Sequence, residues 1–302
     1  MRLDFDSRLT VLENEPLSKH SSFKIGGLAR YAVFPENKNE MLSAIDCAKR
    51  SGIKFIVVGN GSNLLFDDDG FDGIVIFTKN MSSAEYIHTA SGTFIRAECG
   101  RSLTELSSET GKKHSLTGLE FAYGIPGTLG GAVYMNAGAY GGQMSDVVVE
   151  TEYYDSTSNE IRTIGKEEHC FSYRYSVFAE HPEYIILSTL IELNEGNSEE
   201  IFAAMAKNMN ARKEKQPLEY PNAGSTFKRP GGNLFAGKLI EDSGLKGYSV
   251  GGAQISEKHA GFTINRGGAT CRDVLAVIEH TRATVLEKFG VELECEIIYV
   301  PK

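Results

Sequence analysis

Apolar positions between residues 37 and 51 recur at helical spacing. Met41, Leu42, Ile45 and Ala48 share a face, Asn37 can cap the start and Gly52 suits the stop. Lys54–Val58 reads as a short buried strand running straight into Gly59. The pattern predicts further strands at Ile74–Phe77, Phe94–Cys99, Val147–Tyr153 and Tyr184–Leu193, with a helix at Leu103–Lys112 among them. Beyond Glu195 the pattern changes. Ser198–Lys213 is an amphipathic helix with acids in its first turn and bases in its last, the order that the helix dipole favours. A second helix is predicted near Leu234–Ser243, ending before Gly244. A third begins after Thr270, where Asp273 can complete a capping box, and ends at Gly290; Val274, Val277, Ile278, Val285 and Phe289 form its apolar face. Val291–Val300 then alternates as a strand: Val291, Leu293, Cys295, Ile297 and Tyr299 face one way, Glu292, Glu294 and Glu296 the other. Both halves mix helices and strands without a repeat. The prediction is α+β, with 1–194 as one domain and 195–302 as a second.

Composition narrows the function. The 302 residues are enough for two domains, and 41% apolar content with 24% charged residues allows an ordinary core. No apolar run is long enough to span a bilayer, and Met1–Glu15 lacks the basic-then-apolar order of a signal peptide. A net charge of −9 argues against nucleic acid as the main partner. Cys47, Cys99, Cys170, Cys271 and Cys295 are odd in number and form no C-x-x-C pair, so a reducing cytoplasm is the natural setting. The histidines are scattered, and no metal site is predicted. Asp67-Asp68-Asp69-Gly70 lacks the alternation of a calcium loop and reads as a solvated turn.

Two glycine-rich turns carry candidate chemistry. Gly59-Asn60-Gly61-Ser62-Asn63-Leu64 lets the backbone turn sharply and bring consecutive N–H groups to an anion. Leu64 stands where a Rossmann fingerprint has its third glycine, and on spacing alone a tight strand-exit turn is the simpler explanation of the segment. Between Gly118 and Gly142 there are eight glycines in 25 residues, interleaved with Ile125, Leu129, Val133 and Met135. Such an ordered, apolar, glycine-rich run fits backbone packed against a flat ligand or against other backbone. Gly232–Lys238 fits the first seven positions of a P-loop, but Leu239 replaces the magnesium-binding Ser or Thr, which sets aside a nucleoside-triphosphate enzyme.

The stretch GLEFAYGIPGTLGGAVYMNAGAYGG at 118–142 resembles the flavin segment of the UDP-N-acetylenolpyruvoylglucosamine reductases. So do Phe23–Gly27, Gly59–Leu65, Tyr173–Ser176, Pro221–Lys228, Lys258–Phe262 and Leu293–Glu296, all in family order over nearly the whole chain. The resemblance implies a two-subdomain FAD-binding fold of the vanillyl-alcohol-oxidase type, split near 60–80, plus a C-terminal α+β substrate domain whose last strand returns to the active site. It implies non-covalent FAD, NADPH as hydride donor and a UDP-sugar substrate. The cofactor residues it implies are Gly59, Asn60, Gly61, Ser62, Asn63 and Leu64 of the first turn, with the first turn at the pyrophosphate. From the second come Gly124, Ile125, Pro126, Gly127, Gly130, Gly131, Ala132, Asn136, Ala137 and Gly138. Arg212 would border the flavin, and Lys215 the substrate and cofactor phosphates.

Hydride added to an enolpyruvyl ether enters the terminal carbon, and negative charge builds on the neighbouring carbon and its carboxylate. The site therefore needs a cation or donor near that carboxylate and a positioned acid. By the resemblance, Ser225 is the proton donor, while Arg174 and Glu296 stabilise the enol-type intermediate. Taken alone, Ser225 is also an ordinary turn hydroxyl, Arg174 a stacked surface arginine, and Glu296 a member of a solvated sheet face. Ser21-Ser22 replaces the family's common Asn-Thr, and Asn60 stands where Glu is frequent. The gap from Ser176 to Tyr184 is too short for the inserted segment that carries a substrate-covering tyrosine in some members, so the chain resembles the shorter subtype. A flavin oxidase of the same fold and a non-catalytic nucleotide-binding module are the competing readings.

Overall fold

The computed structural model describes residues 3–90 and 92–302. Helix α1 (Lys38–Arg50) forms where the apolar spacing predicts it, with Asn37 Oδ1 accepting from the Glu40 N–H at 3.1 Å. Its buried face is Met41, Ala44, Ile45, Cys47 and Ala48. The remaining helices are α2 (Leu103–His114), α3 (Leu129–Tyr134), α4 (Ser198–Lys215), α5 (Ala236–Asp242) and α6 (Cys271–Phe289). A four-stranded sheet has the order Thr10–Pro16, Leu28–Phe34, Phe71–Phe77, Phe55–Val58. The content is α+β, as predicted.

The chain divides into two compact units. The first takes the described residues up to Val11, then Ala32–Asn60 and Val75–Ala211. Its main sheet is antiparallel, in the order Glu160–Gly165, Val148–Asp155, Tyr184–Glu195, Gly92–Glu98, Ala84–Thr89, with Leu116–Thr117 also pairing the long strand. Ile95, Ala97, Val148, Ile191 and Leu193 from these strands are buried, with Leu103, Leu106, Leu129 and Val133 from α2 and α3. At Gly111 of α2, a Cβ would meet Ile201 and Met205 of α4 at 2.8 Å, so glycine sets how closely these helices approach.

The second unit comprises Leu12–Tyr31, Gly61–Ile74 and Arg212–Lys302. It holds α5, α6 and an antiparallel sheet of Ser249–Val250, Ala253–Ile255 and Thr263–Asn265. Leu64–Phe66 pairs in parallel with Ile298–Val300. Phe23, Leu65, Phe227, Ile240, Val274, Leu293 and Ile297 belong to one buried cluster, so widely separated sequence segments share its core.

Three expectations change here. Only Ile298–Val300 of the predicted Val291–Val300 is a strand. Cys295 makes a single bridge to Phe227, and the alternation slips after Ile297, leaving Tyr299 41% exposed and Val300 buried. The parallel partner Leu64–Phe66 supplies three register positions and no more. The Leu234–Ser243 helix shortens to α5 because Leu234 and Phe235 stay outside the core, 43% and 53% exposed. The acidic run is not simply solvated. Asp68 accepts from the Cys271 and Arg272 N–H groups at 2.7 and 3.0 Å, capping α6 from a distant segment, while Asp67 accepts from the Tyr299 hydroxyl. The predicted Thr270/Asp273 capping box is present as well, and α6 ends on Gly290 in the left-handed region.

Asp68 places a negative charge on two otherwise orphaned donors at the positive end of α6. Asp68→Ala is expected to lower unfolding free energy by about 2 kcal/mol, read from urea denaturation midpoints. Asp68→Asn, which keeps one acceptor, is expected to lose about half of that.

Candidate active site

In the first unit, the two predicted turns come together. Asn60 Nδ2 donates to the Pro126 carbonyl at 2.9 Å, and a Cβ on Gly59 would lie 2.3 Å from Thr128 Oγ1. Glutamate at position 60 could not make that donation, so the family's less common Asn has a use here. Thr128 caps α3, accepting from the Gly131 N–H, and the Gly130 N–H donates to the Cys99 carbonyl. A Cβ on Gly130 would stand 2.9 Å from Cys99 Cβ. Upstream, Thr104 of α2 donates its hydroxyl to the Ile125 carbonyl at 2.8 Å, and the Gly124 N–H reaches the same hydroxyl at 3.2 Å. Protein packing thus explains glycine at 59 and 130, whereas Gly131 has open space beyond a 3.6 Å contact. The α3 helix was not foreseen, because its two glycines break the usual propensity pattern; the Thr-x-x-Gly cap was the available signal.

Arg174 sits in a turn closed by reciprocal backbone bonds between Ser172 and Tyr175, 3.1 and 3.2 Å. Its φ of +56° is left-handed, a conformation costing a non-glycine residue about 1 kcal/mol. Its guanidinium lies 5.0 Å from the centre of the Tyr173 ring. The turn is tied to the glycine-rich segment at two points. Asn136, buried and itself left-handed, donates to the Ser172 carbonyl at 3.0 Å, and Ser176 Oγ donates to the Tyr134 carbonyl at 2.7 Å. Below it, His169 stacks on Phe171 at 4.7 Å and meets Phe178 edge-on. The Gly165 carbonyl accepts from His169 Nδ1 at 2.8 Å, so the neutral ring's Nε2 accepts from the Thr151 hydroxyl. Burial holds the His169 pKa below its ordinary value.

In the second unit, Ser225 follows Gly224, whose φ is +77° and whose N–H is caught by Asn222 Oδ1 at 2.9 Å. Thr226 is pinned on both backbone groups: its N–H donates to the Gly261 carbonyl at 2.8 Å and its carbonyl accepts from the Glu296 N–H at 2.9 Å. Ser225 and Glu296 therefore stand on adjoining segments of one unit. Ser225 is half-buried, and among the described residues its hydroxyl has no protein hydrogen-bond partner. Glu296 is half-buried where Glu292 and Glu294 are exposed, which separates it from a solvated face. His259 accepts the Gly261 N–H on Nδ1 at 3.1 Å and so braces the loop opposite Thr226. Lys215 is exposed at the end of α4, and Arg212 is half-buried one turn earlier. Next to them the buried Gln216 Oε1 has no partner among the described residues, an orphan of the kind a polar ligand atom satisfies. Neither Gln216 nor Asn222 was singled out from the sequence.

The first turn continues into this unit. The N–H groups of Gly61, Ser62 and Asn63 donate to no protein acceptor among the described residues, and Gly61 has φ +59°. Three consecutive free donors in a turn with a left-handed residue make an anion nest, which fits the diphosphate of FAD. Of the two serines that stand in place of Asn-Thr, Ser21 Oγ accepts the Phe23 N–H, and Ser22 Oγ donates to the Asn222 carbonyl at 2.7 Å. Cys99, packed on Gly130, is buried with its thiol pushed up to about 12 by desolvation, so it offers no thiolate. No group of three or more His, Cys, Asp or Glu able to hold a metal occurs among the described residues, and no described helix is long and apolar enough to cross a membrane.

Residues 29–164 match the model of an FAD binding domain, and residues 216–300 that of the C-terminal domain of UDP-N-acetylenolpyruvoylglucosamine reductase. The chain is 51% identical to the UDP-N-acetylenolpyruvoylglucosamine reductase of Caldanaerobacter subterraneus subsp. tengcongensis over 284 residues, covering 94% of this chain and 91% of that one. Identity to the enzyme of Caldicellulosiruptor saccharolyticus is 48%, covering 97% and 92%. Among solved structures, UDP-N-acetylenolpyruvylglucosamine reductase from Thermus caldophilus superposes with a TM-score of 0.79 at 32% identity, covering 97% of this chain and 99% of that one.

Because folded His169 is neutral with a lowered pKa, the unfolded chain binds more protons as pH falls below about 6.5. Stability is expected to drop over that range. His169→Gln should lose about 1–2 kcal/mol at pH 8 and show a flatter decline between pH 7 and about 5, measured by urea unfolding across pH.

Proposed function

The chain belongs to the UDP-N-acetylenolpyruvoylglucosamine reductase family, and from that premise we propose which of its residues carry the reaction. It is an FAD-dependent oxidoreductase that uses NADPH to reduce the enolpyruvyl group of UDP-N-acetylglucosamine enolpyruvate, forming UDP-N-acetylmuramate for peptidoglycan synthesis. The fold is α+β, an FAD-binding domain of the vanillyl-alcohol-oxidase type followed by the family's C-terminal domain. As a functional division we take 1–194 for FAD and 195–302 for substrate, the final segment contributing Glu296.

The chemistry that FAD would supply when bound is hydride transfer, from NADPH to the terminal carbon of the enolpyruvyl double bond. We assign its diphosphate to the N–H groups of Gly61, Ser62 and Asn63, and its flat body to the backbone around Gly124–Gly138, with Arg212 at its border. Attachment is non-covalent; the inert thiol of Cys99 supports this. Ser225 Oγ holds the proton that goes to the carbon bearing the developing charge. The observation that carries this assignment is its hydroxyl, without a protein partner among the described residues, beside the Thr226–Glu296 backbone bond. A serine is a weak acid, and its use requires a strongly basic acceptor, which the enol-type carbanion is. Arg174 opposes charge on the substrate carboxylate, its approach fixed by the left-handed turn. Glu296 stabilises the enol-type intermediate together with Arg174, and Lys215 binds phosphate of the sugar nucleotide. The excess of acidic residues supports no nucleic-acid role, and a cytoplasmic location follows from the NADPH requirement and five unpaired cysteines.

Anaerobic half-reactions test these roles. The protein should bleach with NADPH and recover its yellow colour on adding the enolpyruvyl sugar nucleotide. Ser225→Ala should slow recovery at least a hundredfold (about 2.7 kcal/mol in barrier) while slowing bleaching far less. Equal loss in both steps would make Ser225 an organiser of the site instead. Glu296→Gln should stay folded and yellow with turnover reduced at least a hundredfold; near-normal turnover would remove Glu296 from the mechanism.

A further inference from the structure

Three segments of the second unit close on one another through hydrogen bonds. Asn63 Nδ2 donates to the Glu296 carbonyl at 3.0 Å, and the Asn63 carbonyl accepts from the Ile298 N–H at 2.9 Å. Glu296 in turn donates its N–H to Thr226, the neighbour of Ser225. At the other end of the turn, the Gly61 carbonyl accepts from the Ser22 N–H at 3.3 Å, and Ser22 Oγ donates to the Asn222 carbonyl at 2.7 Å. Asn222 begins the stretch that leads through Gly224 to Ser225. The ring is complete: turn 61–63, Ser22, 222–226, Glu296, and back to Asn63.

Within the ring, the groups of the turn divide their work. Among the described residues the N–H groups of Gly61, Ser62 and Asn63 meet no protein acceptor, whereas the carbonyls of Gly61 and Asn63 and the Asn63 amide hold the segments bearing Ser225 and Glu296. A tripeptide that offers one side of its backbone to an anion uses the other side to fix two reacting groups. Both backbone groups of Glu296 are engaged, so its Cα has little freedom while the ring is intact. Asn63 and Ser22 supply side-chain links between segments, and main-chain pairs supply others.

We infer that Asn63, with Ser22, is a positioning residue: through it, occupancy of the Gly61–Asn63 turn by the FAD diphosphate sets the relative placement of Glu296 and Ser225. The inference rests on the roles assigned above to FAD, Ser225 and Glu296. Neither positioning side chain needs to touch a reacting atom, since each acts through a main-chain carbonyl. The consequence is a reductive step that depends on the side chain of Asn63 while anion binding depends on its N–H.

The test uses purified holoenzyme and two measurements. In anaerobic stopped flow, Asn63→Ala is expected to slow reoxidation by the enolpyruvyl sugar nucleotide at least tenfold, with its KM changed less than threefold and bleaching by NADPH slowed much less than reoxidation. Ser22→Ala should show a smaller defect of the same kind, and Ser22→Thr, which keeps the hydroxyl, should restore the rate. Backbone amide exchange then compares each protein with and without FAD. In the starting protein FAD should slow exchange at Glu296 and Ile298 as well as in the turn; in Asn63→Ala the slowing should be confined to the turn. Loss of FAD from Asn63→Ala, with both half-reactions falling together, would make Asn63 a cofactor contact and overturn the inference. Unchanged reoxidation, or equal FAD-dependent protection of Glu296 in both proteins, would overturn it too. A starting protein that NADPH bleaches but the sugar nucleotide does not reoxidise would instead fail the functional reading, and the exchange comparison would still decide the coupling.

Discussion

Main-chain groups that leave regular structure must still find partners, and in the second unit this requirement organises the chemistry. Residues 222–228 belong to no continuous ladder, yet Thr226 is satisfied on one side by Gly261 and on the other by Glu296. Lys228 repeats the pattern with the Glu294 carbonyl at 2.9 Å. Those few bonds bring the Pro221–Lys228, Lys258–Phe262 and Leu293–Glu296 stretches, distant in sequence, into one array. The buried cluster of Phe23, Phe227, Leu293 and Ile297 makes the array stable, because the same segments that exchange hydrogen bonds also contribute apolar side chains to the core.

The first unit solves a related problem with glycine. Gly59 and Gly130 are required by the protein's own atoms, Thr128 and Cys99, before any ligand is considered. What they permit is close approach: the end of the Phe55–Val58 strand against the cap of α3, and α3 against the strand ending at Glu98. Arg174 stands in a left-handed turn held by Asn136 and Ser176, so its backbone strain is maintained by part-buried hydrogen bonds rather than relaxed.

Periodicity read the long helices well, because α1, α2, α4 and α6 each carry their own caps and faces. It failed at 291–300, where the alternation of side chains is real but the partner strand is three residues long, a fact lodged in Leu64–Phe66 rather than in the segment itself. It also failed at Asp68, whose partner lies 203 residues away. For the site, the ordered motifs named Ser225, Arg174 and Glu296, whereas spacing left Gly59–Leu64 open between an anion-binding turn and a plain strand exit. Asn222 was not legible, since its carbonyl's bond to Ser22 is tertiary, and Gln216 was not, since an unpartnered side-chain oxygen leaves no periodic trace; Thr128 was readable in its Thr-x-x-Gly cap and was passed over.

The ring through Ser22, Asn63, Thr226 and Glu296 also bears on how such a sequence can drift. Most of its inter-segment links accept on a carbonyl, which every residue possesses, so substitution at Thr226 or Asn222 changes a side chain without deleting the acceptor. Selection on the geometry therefore falls on the two donors, and it falls unequally. A hydroxyl at position 22 can come from either Ser or Thr, whereas the short primary amide at 63 has no close substitute among the twenty residues. Position 22 can exchange Ser for Thr with its link kept, and position 63 has no such exchange.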